Sequence, residues 1–194
     1  MPDQGKLSLK ELTLKLVMLI ALTKAARPQT IHLLSVKNLK KTSQMFTLSL
    51  AHLQKHDRPG TQLKSVNIEI YPNDKSLCTY THLEEYLKRT SSVRNSEERL
   101  FISYIKPHKR VSKDTIRRWI HHTLKNAGIN TELFGPYSTR SASVSKAAKL
   151  NIPIQQIMKT AGWARESTFA KFYHKKVIPG KTFSDTLLNV SARM

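Results

Sequence analysis

Leu12, Leu16, Leu19 and Ile20 recur at helical spacing behind Ser8-Leu9-Lys10-Glu11, a capping-box sequence, so the chain is expected to open with a helix. Pro28 suits the first turn of a second helix over residues 28–34 and leaves Arg27 at the junction between the two. The period then changes to two. Phe46, Leu48 and Leu50 alternate with Thr47 and Ser49, and Val66, Ile68 and Ile70 alternate with Asn67 and Glu69. Between them lies the polar turn Lys55-His56-Asp57-Arg58-Pro59-Gly60, so the stretch reads as a β-hairpin with a long basic tip.

Helical spacing returns further on. Thr81-His82-Leu83-Glu84 reads as the cap of another helix, and residues 100–105 as a further short strand. Ser112 or Asp114 opens a helix with Ile116, Trp119, Ile120 and Leu124 on one face, stopping near Gly128. Three helical segments follow at 139–150, 153–161 and 167–175, separated by Pro153 and Gly162. Pro179-Gly180 then breaks the chain before Phe183, Leu187 and Leu188, a short amphipathic stretch. The pattern predicts a mainly α protein with one small antiparallel β-hairpin or sheet, and 194 residues suffice to bury a core.

Charge narrows the partners. The chain carries a formal +20, and residues 101–194 hold 17 Lys/Arg against Asp114, Glu132, Glu166 and Asp185, a local +13. Such a field attracts nucleic acid through counterion release. It does not choose DNA over RNA. The single Cys78 excludes a disulfide framework and a cysteine-rich zinc site. The apolar run at residues 12–22 is short and interrupted by Lys15, which fits a buried helix better than a membrane span, so no membrane partner is expected.

Several side chains suit metal-free chemistry on a phosphodiester. Attack on phosphorus builds charge on the nonbridging oxygens and on the departing oxygen, so fixed cations and a proton donor are needed. Arginine clamps phosphate through a planar, permanently charged fork. Arg140 begins a helix and Arg27 lies at a helix entry, although either can equally be a solvated surface charge. Trp163 follows Gly162, where an indole N–H can donate to a phosphate oxygen or the ring can simply fill a core. Tyr173, in Phe169-Ala170-Lys171-Phe172-Tyr173, is a nucleophile if nearby cations favour its phenolate, and a core aromatic otherwise. Lys55 on the hairpin tip is placed to protonate a leaving oxygen or to position a phosphate. The acids of the second half are scattered, which argues against a two-metal site, and His121-His122 point in different directions on a helix.

In this order the residues resemble the tyrosine recombinase (phage integrase) family, most closely the sequences of eukaryotic DIRS-like and Crypton-like mobile elements. The resemblance runs from about residue 9 to residue 176, with a catalytic domain over 1–176 and a tail over 177–194. Arg27, in Thr23-Lys24-Ala25-Ala26-Arg27-Pro28, matches the first arginine, Lys55 the hairpin lysine and Arg140 the second arginine. Trp163 matches the His/Trp position and Tyr173 the nucleophile. The resemblance implies DNA strand breakage and rejoining through a 3′-phosphotyrosine, without metal, ATP or other cofactor. Its partner is double-stranded DNA, with Arg58, Lys113, Arg117, Arg118 and Lys146 as expected contacts.

Three departures are visible. The family's His-x-x-Arg is Tyr137-Ser138-Thr139-Arg140, and a phenol donates a hydrogen bond without readily exchanging a proton near neutral pH. Thr30 stands where an acid often follows the first arginine. The resemblance also implies an N-terminal DNA-clamping domain, whereas this sequence begins almost at the catalytic domain, as a fragment, a degenerate copy or a host-adopted remnant would. The alternatives are therefore an active recombinase, a catalytically impaired, transposon-derived DNA-binding protein, and a basic RNA-binding protein. A DNA-acting chain of this kind is expected in the nucleus if eukaryotic, otherwise in the cytoplasm or nucleoid. The tail is expected to dock on a neighbouring protomer or to fold back on its own domain.

Overall fold

The computed structural model of the chain describes residues 7–52 and 63–163. The chain divides into two compact units, Met1–Val144 and Ser145–Met194. The first holds helices α1 (Leu9–Thr23), α2 (Pro28–Leu33), α3 (Thr79–Thr90) and α4 (Lys113–Asn126), and strands β1 (Leu34–Lys41), β2 (Met45–Leu50) and β3 (Ser65–Glu69). Helix α5 (Ser138–Lys149) begins in the first unit and ends in the second, which also holds α6 (Ile154–Ala161). The segment 167–175, the hairpin tip and the tail lie outside the described residues.

The capping box forms as its sequence predicts. Glu11 N–H donates to Ser8 Oγ at 3.2 Å, and Ser8 N–H donates to the Glu11 carboxylate at 2.8 Å. The long apolar run of α1 has a structural cause: the helix packs against both α3 and α4, so Leu12, Leu16, Val17 and Ile20 are fully buried.

The predicted hairpin is β2 and β3, antiparallel with Phe46 opposite Ile68 and Leu48 opposite Val66. Phe46, Leu48, Leu50 and Ile68 face the core, and the Phe46 ring lies 4.5 Å from that of Tyr80. A third strand, β1, completes the sheet on the other side of β2, in the order β1-β2-β3. Strand periodicity does not announce it, because Lys37, Asn38, Lys40 and Lys41 line an exposed edge. Its register with β2 shifts between Ser35 and Lys40, where Asn38 adopts a φ of +60°. Lysines along an unpaired edge are a common protection against further strand pairing.

Two expectations are corrected. Helix α3 starts at Thr79, with Cys78 as a cap whose side chain makes no capping bond to the helix. Thr81 lies inside the helix instead, its hydroxyl donating to the Cys78 carbonyl at 3.0 Å. Residues 100–105 form no strand, only isolated bridges between Ser35 and Arg99 and between Ile102 and Arg110. The backbone there is satisfied by scattered bonds rather than by a ladder: Leu100 N–H donates to the Leu34 carbonyl and Ser103 N–H to the Lys109 carbonyl, both at 2.8 Å, and side chains supply the rest. Arg94 donates to the carbonyls of Arg99 at 2.6 Å and Leu100 at 3.1 Å, and Ile102 N–H donates to Tyr86 Oη at 3.1 Å.

Helix α4 is capped by Ser112, whose Oγ accepts from Thr115 N–H at 3.1 Å. It buries Ile116, Trp119 and Ile120, and Trp119 stacks on Tyr104 at 5.3 Å. Among the described residues no helix is long and apolar enough to cross a membrane.

Within α3, His82 is fully buried, with Nδ1 2.8 Å from the Cys78 carbonyl. Burial first, and Lys15 to a smaller degree, hold its imidazole below the usual histidine range, against the opposing pull of that hydrogen bond. The unfolded chain therefore takes up a proton as pH falls through about 6.5 while the native chain does not, and stability is lost on the acid side. Urea unfolding at a series of pH values is expected to show that loss, and His82→Gln to reduce it. An equal acid-side loss in the variant would remove His82 as its source.

Candidate active site

The turn joining α1 to α2 is the centre of the candidate site. Ala25 adopts a φ of +45°, a left-handed conformation that costs an L-residue about 1–2 kcal/mol. The surrounding chain holds it there. Lys24 N–H donates to the Ile20 carbonyl at 3.1 Å and Ala26 N–H to the Ala21 carbonyl at 3.1 Å, so the turn is bonded back onto the last turn of α1. Lys24 is ion-paired with Glu69 of β3, which ties the turn to the sheet. Arg27 then caps α2 in an extended conformation ahead of Pro28.

Arg140 reaches this turn from the far end of the unit's sequence. It lies in the first turn of α5, is only 3% exposed, and donates from Nη1 to the Ala25 carbonyl at 2.5 Å. That bond joins residues 115 positions apart and brings Arg140 to a carbonyl two residues from Arg27. The entry to α5 is itself fixed. Ser138 N–H donates to the Gly135 carbonyl at 2.9 Å, Thr139 Oγ1 to the Pro136 carbonyl at 2.9 Å, and Ser143 Oγ to the Thr139 carbonyl at 2.9 Å. The fold thus gathers two of the expected arginines at one backbone junction, one buried and one half-buried. A guanidinium positioned in advance by packing suits the stabilisation of charge developing on a phosphate oxygen.

Tyr137 directly precedes α5 and is 53% exposed, so the residue at the expected histidine position is largely solvated. In the second unit, Gly162 closes α6 in the left-handed conformation, with φ +67°. Its N–H donates to the Lys159 carbonyl at 3.2 Å and Trp163 N–H to the Met158 carbonyl at 2.9 Å, a Schellman-type closure that sets where the indole begins. Trp163 is half-buried and Lys146 exposed. Lys55, Arg58 and Tyr173 lie outside the described residues.

The expected DNA contacts of α4 are on the surface. Lys113 and Arg117 are exposed, with Arg117 paired to Asp114 at 3.2 Å. Arg118 donates to Thr115 Oγ1 at 3.2 Å and lines a cleft of about 680 Å³ with Lys10, Tyr104, Arg110 and Trp119. Among the described residues, no group of three or more His, Cys, Asp or Glu is arranged to hold a metal ion. The component that side-chain chemistry missed is the Ala25 carbonyl. A backbone acceptor leaves no trace in residue type, and the only signal was the helix break between the apolar run and Pro28.

This arrangement of helices and a three-stranded antiparallel sheet is the fold of a tyrosine recombinase catalytic domain. The chain belongs to the phage integrase family, whose model matches residues 4–177. Among solved structures it is similar to the XerH site-specific recombinase bound to difH substrate in a pre-cleavage complex, at 13% identity and a TM-score of 0.65. That match covers 100% of this chain and 47% of the XerH chain, so the sequence spans about half the length of that neighbour. It is also similar to the XerA recombinase, at 18% identity and a TM-score of 0.59, covering 100% of this chain and 66% of that one. No curated protein matches the sequence.

The Arg140 anchor is expected to stabilise the fold. Arg140→Leu leaves the buried Ala25 carbonyl without this donor, and urea unfolding should show a loss of about 1–3 kcal/mol. Arg117→Ala on the exposed flank of α4 should stay within about 0.5 kcal/mol of the parent. Equal effects of the two substitutions would deny Arg140 its anchoring role.

Proposed function

We propose that the chain is a DNA strand-breaking and rejoining domain that works through a 3′-phosphotyrosine. The observation that carries this reading is the meeting of Arg140 with the Ala25–Arg27 turn in a phage integrase family domain. Support also comes from the structural neighbours: XerH is seen with its difH substrate in both pre-cleavage and post-cleavage complexes.

In the proposed reaction Arg27 and Arg140 hold the nonbridging oxygens of the scissile phosphate, with the Trp163 indole as a further donor. The Tyr173 oxygen attacks phosphorus, the bond to the 5′ oxygen breaks, and Lys55 protonates that leaving oxygen. A 5′-hydroxyl from another strand reverses the step. The covalent phosphotyrosine conserves the bond energy, so the cycle uses neither ATP nor metal. Arg58, Lys113, Arg117, Arg118 and Lys146 serve as DNA contacts.

The catalytic domain of this reading spans 1–176, and the tail 177–194 docks on a neighbouring protomer. Its biological setting is a mobile element of the DIRS or Crypton type, acting in the nucleus of a eukaryotic cell.

A second reading has its own observation. Tyr137 is largely solvated and brings no imidazole, which favours a DNA-binding protein of impaired catalysis. The discriminating experiment uses a nicked suicide duplex chosen by selection from a random-sequence pool. The first reading predicts a covalent adduct that disappears in Tyr173→Phe and increases in Tyr137→His. The second predicts salt-sensitive duplex binding, indifferent to Tyr173→Phe, with no adduct. An adduct that survives Tyr173→Phe overturns the assigned nucleophile, and tighter binding to folded RNA than to duplex DNA overturns both readings.

A further inference from the structure

The first unit carries a second group of cations that the catalytic assignment leaves unused. Arg99 and His52 approach each other, with Arg99 Nη2 3.3 Å from His52 Nδ1. Arg99 bridges to Ser35 at the start of β1, while His52 follows the end of β2. Arg110 stands on the neighbouring segment, which Ser103 N–H joins through the Lys109 carbonyl at 2.8 Å. His32, in the last turn of α2, completes the group.

The support beneath these groups is rigid. The buried end of Arg94 bonds the carbonyls of Arg99 and Leu100, so the backbone that presents the Arg99 guanidinium is fixed from below. His52 and Arg110 are exposed and Arg99 is half-buried, leaving the group open to a ligand. Among the described residues neither Arg99 nor Arg110 takes part in an ion pair, and the nearby Glu98 is engaged by Lys37 at 3.0 Å.

His32 reports the resulting field. Its imidazole is held below the usual histidine range by burial first, then by Arg99, His52 and Arg110, while a hydrogen bond to the Val111 backbone pulls the other way. Three cationic or protonatable side chains therefore converge on one imidazole, with no carboxylate acting on it against them. Burial first, and then Arg110, also act against the charge of Arg99, opposed by Glu97 and Glu98, and Glu97 accepts from the Arg99 backbone N–H at 2.9 Å. A bound anion would relieve the repulsion between the two guanidiniums.

We propose that His52, Arg99 and Arg110, with His32 beneath them, form a second phosphate subsite that takes a DNA backbone phosphodiester other than the one held by Arg27 and Arg140. This deepens the function proposed above and rests on it. Arg99 supplies a fork that can exchange its contact with His52 for phosphate oxygens, and Arg110 supplies a second guanidinium from the adjacent segment. Such contacts add affinity and register without reading sequence.

The test measures binding of an end-labelled duplex by fluorescence anisotropy across a potassium chloride series. Removing one phosphate-binding cation is expected to reduce the magnitude of the slope of log K against log salt by about 0.9. Arg110→Gln and Arg99→Gln should each lower the slope toward that amount and weaken binding, while Arg99→Lys should keep most of the slope. Arg110 is exposed, so its glutamine variant guards against a folding artefact at the half-buried Arg99. Independently, NMR titration of His32 in the full chain should move to higher pH when the duplex is added. Unchanged slopes in both glutamine variants, or a His32 titration that the duplex leaves in place, would overturn the subsite alone provided the parent binds DNA. A parent chain with no salt-dependent duplex binding would overturn the subsite together with the function it rests on.

Discussion

The hydrogen bond from Arg140 to the Ala25 carbonyl is the constraint on which the candidate site depends. It joins the first turn of α5 to the turn between α1 and α2 across 115 residues of sequence. Without it, the two arginines would belong to separate elements with no shared reference point. Ala25 accepts a left-handed backbone to present that carbonyl, and the surrounding bonds and the Lys24–Glu69 pair hold it in place. Strain of this size persists only where the structure around it determines the conformation, and such strain clusters at functional sites.

The core explains why this junction is firm. Helix α1 is buried by α3 on one side and α4 on another, and α2 also rests on α4. Leu12, Leu16, Ile20, Ile31 and Ile120, all fully excluded from water, lock the helices whose ends form the turn. Long elements fixed by packing position a site more exactly than loops do. Polar groups do part of the corresponding work where regular structure stops: Arg94 takes the carbonyls of Arg99 and Leu100 and Tyr86 the N–H of Ile102, while Leu100 N–H donates to the Leu34 carbonyl. The same bonds fix the backbone of the half-buried Arg99, so structural and charged roles are joined in one short segment.

Much of this was legible in the sequence, for local reasons. The Ser8–Glu11 box, the alternation of Phe46, Leu48 and Leu50, the Ser112 cap and the Gly162 closure are each decided by residues within a few positions of one another, and each forms. Features decided by distant partners were not legible. Strand β1 exists because β2 offers it an edge, not because Leu34–Lys41 alternates. Residues 100–105 look like a strand by composition, but their backbone bonds are shared among Leu34, Lys109, Val111 and the side chains of Arg94 and Tyr86, so no ladder forms. For the site, Arg27 and Arg140 could be named from residue chemistry and family order, while the carbonyl that unites them could not. Tyr137 is the reverse case: the sequence singled it out, and its exposure shows that the fold does not bury it against the arginines' anchor.

The proposed clamp of Arg27 and Arg140 on one phosphate is tested by a double-mutant cycle on the rate of covalent adduct formation. Arg27→Gln, Arg140→Gln and the double variant, each checked for folding, would be compared with the parent on the same suicide duplex. For a single clamp, either single substitution should slow adduct formation by about a hundredfold or more and the double variant should be scarcely slower, because groups that act as a unit are not additive. Independent, additive effects, or full adduct formation by a folded single variant, would contradict it.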